Sequence, residues 1–176
     1  GYGPSLQPFQ FLNDPTIDYL VVGEGEQSML DIVNGDTTQK LVSNLPIADI
    51  NSIPNPDRDS IDLNRYIAIA ERDEGRRVTS IMTERGCAFA CTFCVEGLDY
   101  YTKVYRNSFE KTSLDLEYIA KKMHDVRKKG GRNDLWLVDS NFGMYSQDID
   151  TCKIIAKCQE QYHWPDYIQC DTGKNK

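Results

Sequence analysis

Val78-Thr79-Ser80-Ile81-Met82 runs directly into Thr83-Glu84-Arg85-Gly86-Cys87-Ala88-Phe89-Ala90-Cys91-Thr92-Phe93-Cys94. The apolar opening, Val78 to Met82, reads as a strand. The cysteines after it stand at the spacing C-x3-C-x2-C. Three thiolates so close in sequence can meet at one inorganic centre only if the backbone loops around it. Gly86 and the small residues Ala88, Ala90 and Thr92 permit such a loop. An iron–sulfur cube is normally held by four thiolates. A cube held by three leaves one iron open to an outside ligand, much as a catalytic zinc keeps one position free.

Two other chemistries use clustered cysteines. A structural zinc site wants a fourth Cys or His at ligand-like spacing. His124 and His163 lie far downstream, and Cys152, Cys158 and Cys170 form no paired C-x2-C. A disulfide framework suits a short secreted chain, but here the cysteines crowd too tightly and no signal-peptide pattern is read. The spacing, with aromatic Phe93 just before the third cysteine, resembles the signature of the radical S-adenosylmethionine (SAM) enzymes. That resemblance implies a 4Fe-4S cluster on Cys87, Cys91 and Cys94. It also implies SAM chelated at the open iron, with Phe93 beside its adenine. Electron transfer from the cluster would then split SAM into methionine and a 5′-deoxyadenosyl radical.

Composition sets the bounds. A chain of 176 residues suffices for one ordinary domain, or for a small one with an appendage. Its formal charge of −7, with basic residues interspersed among acidic ones, argues against a nucleic-acid partner. No apolar run is long enough for a membrane span. Six cysteines without a secretion pattern predict a reducing, cytoplasmic setting. The chain opens on Gly1-Tyr2-Gly3 without Met, and the expectation is a piece of something longer.

Upstream, Ile17 to Val22 reads as a strand, Gly23-Glu24-Gly25-Glu26 as a turn, and Gln27 to Val33 as a helix. The words Asp18-Tyr19-Leu20-Val21-Val22-Gly23-Glu24-Gly25-Glu26 are similar to the last strand and helix of the Rossmann-like, cobalamin-binding domain that precedes the barrel in one radical SAM subfamily. The Asp-x-His-x-x-Gly motif that supplies a histidine to cobalt is missing, so cobalamin is implied for the full-length protein rather than for this chain. Residues 45–76, with Pro46, Pro54, Pro56 and several aspartates, read as an extended linker. At its end, Glu71 to Arg77 reads as a hairpin or turn before the cysteine strand. The boundaries expected are therefore 1–44 for the end of the Rossmann-like domain, 45–76 for the linker, and 77–176 for the start of a barrel.

Downstream, Tyr100, Tyr101 and Tyr105 could pack the loop or stack on a substrate. A helix starts near Thr112, carries Leu116, Ile119, Ala120, Met123 and the stem of Arg127 on one face, and ends by Lys128 and Lys129 before Gly130. His124 on it reads as a boundary histidine. Leu135 to Val138 has the continuous apolar run of a doubly covered strand. Ser146 opens a further helix with Ile149, Cys152, Ile155 and Ala156 along one side, which predicts a core Cys152 and puts Cys158 on another face. Tyr167 to Cys170 gives a third strand.

The alternation of strand and helix predicts parallel pairing. Chemistry would then gather at the C-terminal strand ends, where the cysteine loop, Asp139-Ser140-Asn141 and Asp171 all fall. Asp139, Ser140 and Asn141 become candidate SAM contacts, although Asp139 serves equally well as a cap of the following loop. The fold class expected is α/β: a partial parallel (βα) barrel of radical SAM type, about the first three units of six, preceded by the tail of a Rossmann-like domain. Val78, Ile81, Leu137 and Ile168 are expected to point inward. The function implied is methyl transfer or rearrangement on a small-molecule substrate, with a reductant such as flavodoxin or ferredoxin. An iron–sulfur electron carrier, a zinc-stabilised interaction module and a tRNA methylthiotransferase-like enzyme remain alternatives.

Overall fold

The computed structural model describes residues 2–97, 103–127 and 130–173. Tyr100, Tyr101, Lys128 and Lys129, and the side chain of Arg127, lie outside what is described. Two short helices, α1 (Tyr2–Leu6) and α2 (Pro8–Leu12), lead into β1 (Leu20–Val22), α3 (Glu26–Asn34) and β2 (Leu41–Ser43). Strands β1 and β2 pair in parallel, Leu20 opposite Leu41 through Val22 opposite Ser43, so α3 is the crossover of a complete βαβ unit. Glycine makes the turn out of α3 possible: Gly35 sits at φ 76°, a left-handed cap whose N–H reaches the carbonyls of Asp31 and Ile32. The first strand is shorter than the apolar run suggests, and β2, three residues long, gives no periodicity to read.

The segment after β2 is fastened rather than solvated. Arg58 grips the carboxylate of Asp115 through Nε and Nη2 at 2.8 and 3.0 Å and reaches the carbonyl of Ser80. Lys111 Nζ donates to the carbonyls of Ile50 and Ile53, both at 2.6 Å. Residues 63–74, expected as linker with a terminal turn, instead form helix α4 (Leu63–Glu74). It starts where Asp62 accepts from the Arg65 N–H and stops at Gly75, φ 70°. Only Ile67, 4% exposed, anchors it deeply in the core. Leu63, Ile67 and Ala70, spaced i, i+4 and i+7, form the inward row of an otherwise charged helix.

Strand β3 (Arg77–Ile81) follows, then a two-residue ribbon of β4 (Glu84–Arg85) against β5 (Tyr105–Arg106). The long helix α5 (Phe109–Arg127), β6 (Asn133–Leu137), α6 (Asp148–Tyr162) and β7 (Tyr167–Cys170) complete the chain. The main sheet is parallel in the order β3-β6-β7. Ile81, Leu135 and Leu137 bury against Leu116, Ile119, Ala120 and Met123 of α5 and Ile154, Ile155 and Cys158 of α6. Each large apolar side chain so buried contributes about 1.5–3 kcal/mol. The whole is a mixed α/β fold with parallel sheets. No helix among the described residues is long and apolar enough to cross a membrane.

Two expectations are corrected by register. Strand side chains alternate, and the pairing aligns Thr79 with Leu135 and Ile168, and Ile81 with Leu137 and Cys170. Ile81 and Leu137 therefore face the helices and are buried, while Val78 and Trp136 lie on the opposite face. Ile168 shares the helix-side row but stays 50% exposed. On α6 the buried positions are Asp148, Thr151, Ile154, Ile155 and Cys158. That stripe is rotated from the one expected, since each residue turns a helix by about 100°. Cys152 is consequently exposed and Cys158 is the core thiol.

Candidate functional site

The ends of the three parallel strands are stitched to one another. The Val138 N–H donates to Ile81 O at 3.0 Å, and the Phe142 N–H to Asp171 O at 2.9 Å. Asp139, 1% exposed, takes the Thr83 N–H at 2.6 Å, the Glu84 N–H at 3.1 Å and the Thr83 hydroxyl. Its carboxylate is thus committed to the backbone that launches the cysteine loop. Burial pushes Asp139 above the ordinary aspartate range, and the Thr83 bonds oppose that rise.

The loop itself is tightly wound. Gly86 takes φ 88°, the Cys94 N–H donates to Cys91 O, and the Gly97 N–H donates to Cys94 O, both at 3.1 Å. A Cβ on Gly97 would stand 2.5 Å from the Cys91 carbonyl oxygen, so only glycine fits there. All three thiols are free, Cys87 buried and Cys91 and Cys94 half-buried. The buried Cys87 Sγ lies 3.0 Å from Asn141 Nδ2 in the loop after β6. Among the described residues, no three His, Cys, Asp or Glu side chains are gathered closely enough to hold a metal ion. The donor set nonetheless suits an iron–sulfur cluster chemically: three unpaired thiols on one loop, with an amide N–H on one sulfur. Phe93 is 91% exposed. Ser140 lines a cleft of about 350 Å³ between this rim and the Gly23–Glu26 turn, whose other walls include Arg85, Gly86, Lys103 and Tyr105.

A charged network underlies the rim. Arg106 pairs with both Glu84 and Asp148 and stacks 4.8 Å from the Tyr145 ring centroid. Asp148 Oδ2 in turn takes the N–H groups of Gly143 and Tyr145 at 2.8 and 3.0 Å, holding the loop that carries Asn141. Burial raises Glu84 to about 7; Arg106 opposes the rise, while Asp139 and Asp148 add to it. Its Oε1 has no hydrogen-bond partner among the described residues. Arg85, two residues before Cys87, reaches Glu26 at 2.5 Å and Glu24 at 3.4 Å across the cleft. Sequence reasoning singles out none of Glu84, Arg85, Arg106 and Asp148 as a site residue. The one available signal is a pair of charged residues, Glu84 and Arg85, wedged between a buried strand and the first cysteine.

The kinship of the chain agrees with this chemistry. No family model matches it. It is 27% identical over 105 residues to the cobalamin-dependent radical SAM methyltransferase TokK of Streptomyces tokunonensis, covering 59% of this chain and 14% of that enzyme. It is 28% identical over 93 residues to the 2-(S-pantetheinyl)-carbapenam-3-carboxylate methyltransferase of Streptantibioticus cattleyicolor, covering 53% and 12%. An anaerobic magnesium-protoporphyrin IX monomethyl ester cyclase of Rubrivivax gelatinosus is 27% identical over 147 residues, covering 71% and 25%. The chain therefore spans only a small part of the length of the curated relatives it matches. Those distant, partial relatives are enzymes, methyltransferases among them, and they support a function of the radical SAM type.

Proposed function

We propose that this chain carries the cluster-binding end of a radical SAM enzyme related to the cobalamin-dependent methyltransferases. In this reading Cys87, Cys91 and Cys94 hold a 4Fe-4S cluster, and residues 77–176 begin a partial (βα) barrel. Residues 1–44 close a Rossmann-like domain, and residues 45–76 join the two. The observation that carries the reading is a C-x3-C-x2-C loop at the C-terminal end of the first strand of a parallel sheet, with the loop that follows the next strand touching its first cysteine. When bound, the cluster supplies the electron that splits SAM into methionine and a 5′-deoxyadenosyl radical.

The chain's own residues have separable roles. Asp139 orients the base of the loop by holding Thr83 and Glu84. Ser140 lines the cleft, and Asn141 presents its amide to the Cys87 sulfur. Phe93, exposed on the outer turn, offers a ring face for adenine to stack on. Arg85 ties the loop to the acidic turn of the βαβ unit. Cobalamin in the full-length protein, a small-molecule substrate and a flavodoxin- or ferredoxin-like reductant complete the proposal. Anaerobic reconstitution with iron and sulfide tests it. Cys87→Ala, Cys91→Ala and Cys94→Ala should each abolish the brown chromophore, whereas Cys152→Ala and Cys170→Ala should leave it intact. Full iron and sulfide content in any of the first three variants would overturn the ligand assignment.

A further inference from the structure

We infer that Asn141 is a positioning residue that sets the reduction potential of the centre on the cysteine loop, an inference that rests on the cluster reading above. Three observations support it. Asn141 is 8% exposed and Cys87 is 8% exposed, so their 3.0 Å contact is shielded from water. The thiolate form of cysteine has no proton to give, so a polar contact at this distance is an amide N–H donating to sulfur. The Asn141 backbone is also over-determined. The Phe142 N–H is tied to the carbonyl of Asp171 just past β7, the Met144 N–H returns to Asn141 O, and Asp148 holds the N–H groups of Gly143 and Tyr145. A side chain held this firmly from two neighbouring elements is preorganised to keep its donor on one sulfur.

The physical effect has a definite sign. One-electron reduction, with the electron supplied by an external low-potential donor, adds negative charge to the centre and its thiolates without making or breaking a bond. A hydrogen bond to sulfur stabilises the more negative state more strongly, and hydrogen bonds to sulfurs are among the determinants of cluster potential. Asn141 therefore raises the potential and makes the cluster easier to reduce. Removing its donor lowers the potential. Replacing the donor by a carboxylate lowers it further, because a negative charge then faces the sulfur.

The test is a redox titration of the reconstituted protein, monitored by electron paramagnetic resonance of the reduced cluster. Wild type, Asn141→Leu and Asn141→Asp are compared, the two variants being near-isosteric with asparagine. The expected order of potentials is wild type above Leu above Asp. At least a tenfold change in the reduction equilibrium, 59 mV for one electron, should separate the first from the last. A packing defect alone would not arrange the variants by charge. Cluster formed in all three at equal potentials overturns this inference and leaves the proposed function standing. No cluster in the wild type overturns both. If Asn141→Leu alone fails to fold, the wild type and Asp pair still decides the question.

Discussion

Replacing Arg106 by Met should strip two buried carboxylates of their shared cation. The side chains of Glu84 and Asp148 are 1% and 4% exposed, so water cannot take over the role. Removing one partner of a buried ion pair typically costs about 3–5 kcal/mol, a large share of the roughly 5–15 kcal/mol that keeps a domain folded. The loss should depend on pH. Glu84 in the folded chain titrates at about 7, above its ordinary value of 4.5. Between those values the folded chain keeps a proton that the unfolded chain releases, so this group's contribution to stability falls as pH rises through the interval, by about 1.4 kcal/mol per unit. Arg106 is the cation that favours the ionised form, so its loss raises Glu84 further and extends the decline to higher pH. Urea denaturation of Arg106→Met should show a modest deficit at pH 5.5 that widens by pH 8.5. Adding Glu84→Gln should shrink the pH 8.5 deficit, because the amide no longer has a charge to bury. A deficit equal at both pH values, or one untouched by the second substitution, would refute the reasoning.

Two further outcomes follow from the same geometry. Asp139→Ala should destabilise the chain by about 3 kcal/mol, since it orphans N–H donors of Thr83 and Glu84 in a buried setting; Asp139→Asn, which keeps an acceptor, should cost less, and equal costs in urea melts would count against the capping role. In a native thiol-labelling experiment at pH 8, exposed Cys152 should react at least roughly a hundredfold faster than Cys158, whose thiol burial pushes up to about 11; labelling of Cys158 at a comparable rate would contradict its place in the core.

The parts of the fold legible in the sequence are those whose signal is local. Leu135 to Val138 announces a strand, although it is covered on the helix side alone, Leu135 and Leu137 being buried and Trp136 and Val138 each 38% exposed, and Tyr167–Cys170 is bounded by Pro165 on one side and polar residues on the other. The cysteine spacing is likewise local, and so is the rim assignment of Asp139 to Asn141, which follows from strand direction alone. What was not legible depends on partners distant in the chain. Arg106 meets Glu84 across 22 residues and Asp148 across 42, and neither separation leaves a pattern. The fastening of Arg58 to Asp115 is of the same kind: the proline-rich stretch reads as an extended linker, and its clamp partner lies 57 residues away. Helix α4 does carry a local signal, Leu63, Ile67 and Ala70 at helical spacing, but it follows directly on the proline- and aspartate-rich stretch, which favours reading both as one linker. On α6 the apolar Ile149 is 59% exposed, so a stripe drawn through it falls on Cys152 instead of on Cys158.

The fastened segment has a consequence for how the chain is made. Arg58 and Lys111 clamp residues 50–58 to the start of α5, and the partners in the Arg58 clamp lie 57 residues apart. At roughly 5–20 residues per second on the ribosome, the upstream half of that clamp emerges some seconds before the downstream half exists. During that interval Arg58 has no carboxylate to grip and the Ile50 and Ile53 carbonyls have no ammonium. The βαβ unit can form in this window, since β1, α3 and β2 are all already synthesised. The docking of residues 50–58 must wait for α5, so the nascent chain passes through a stage in which the βαβ unit can be formed while this segment is not yet fastened.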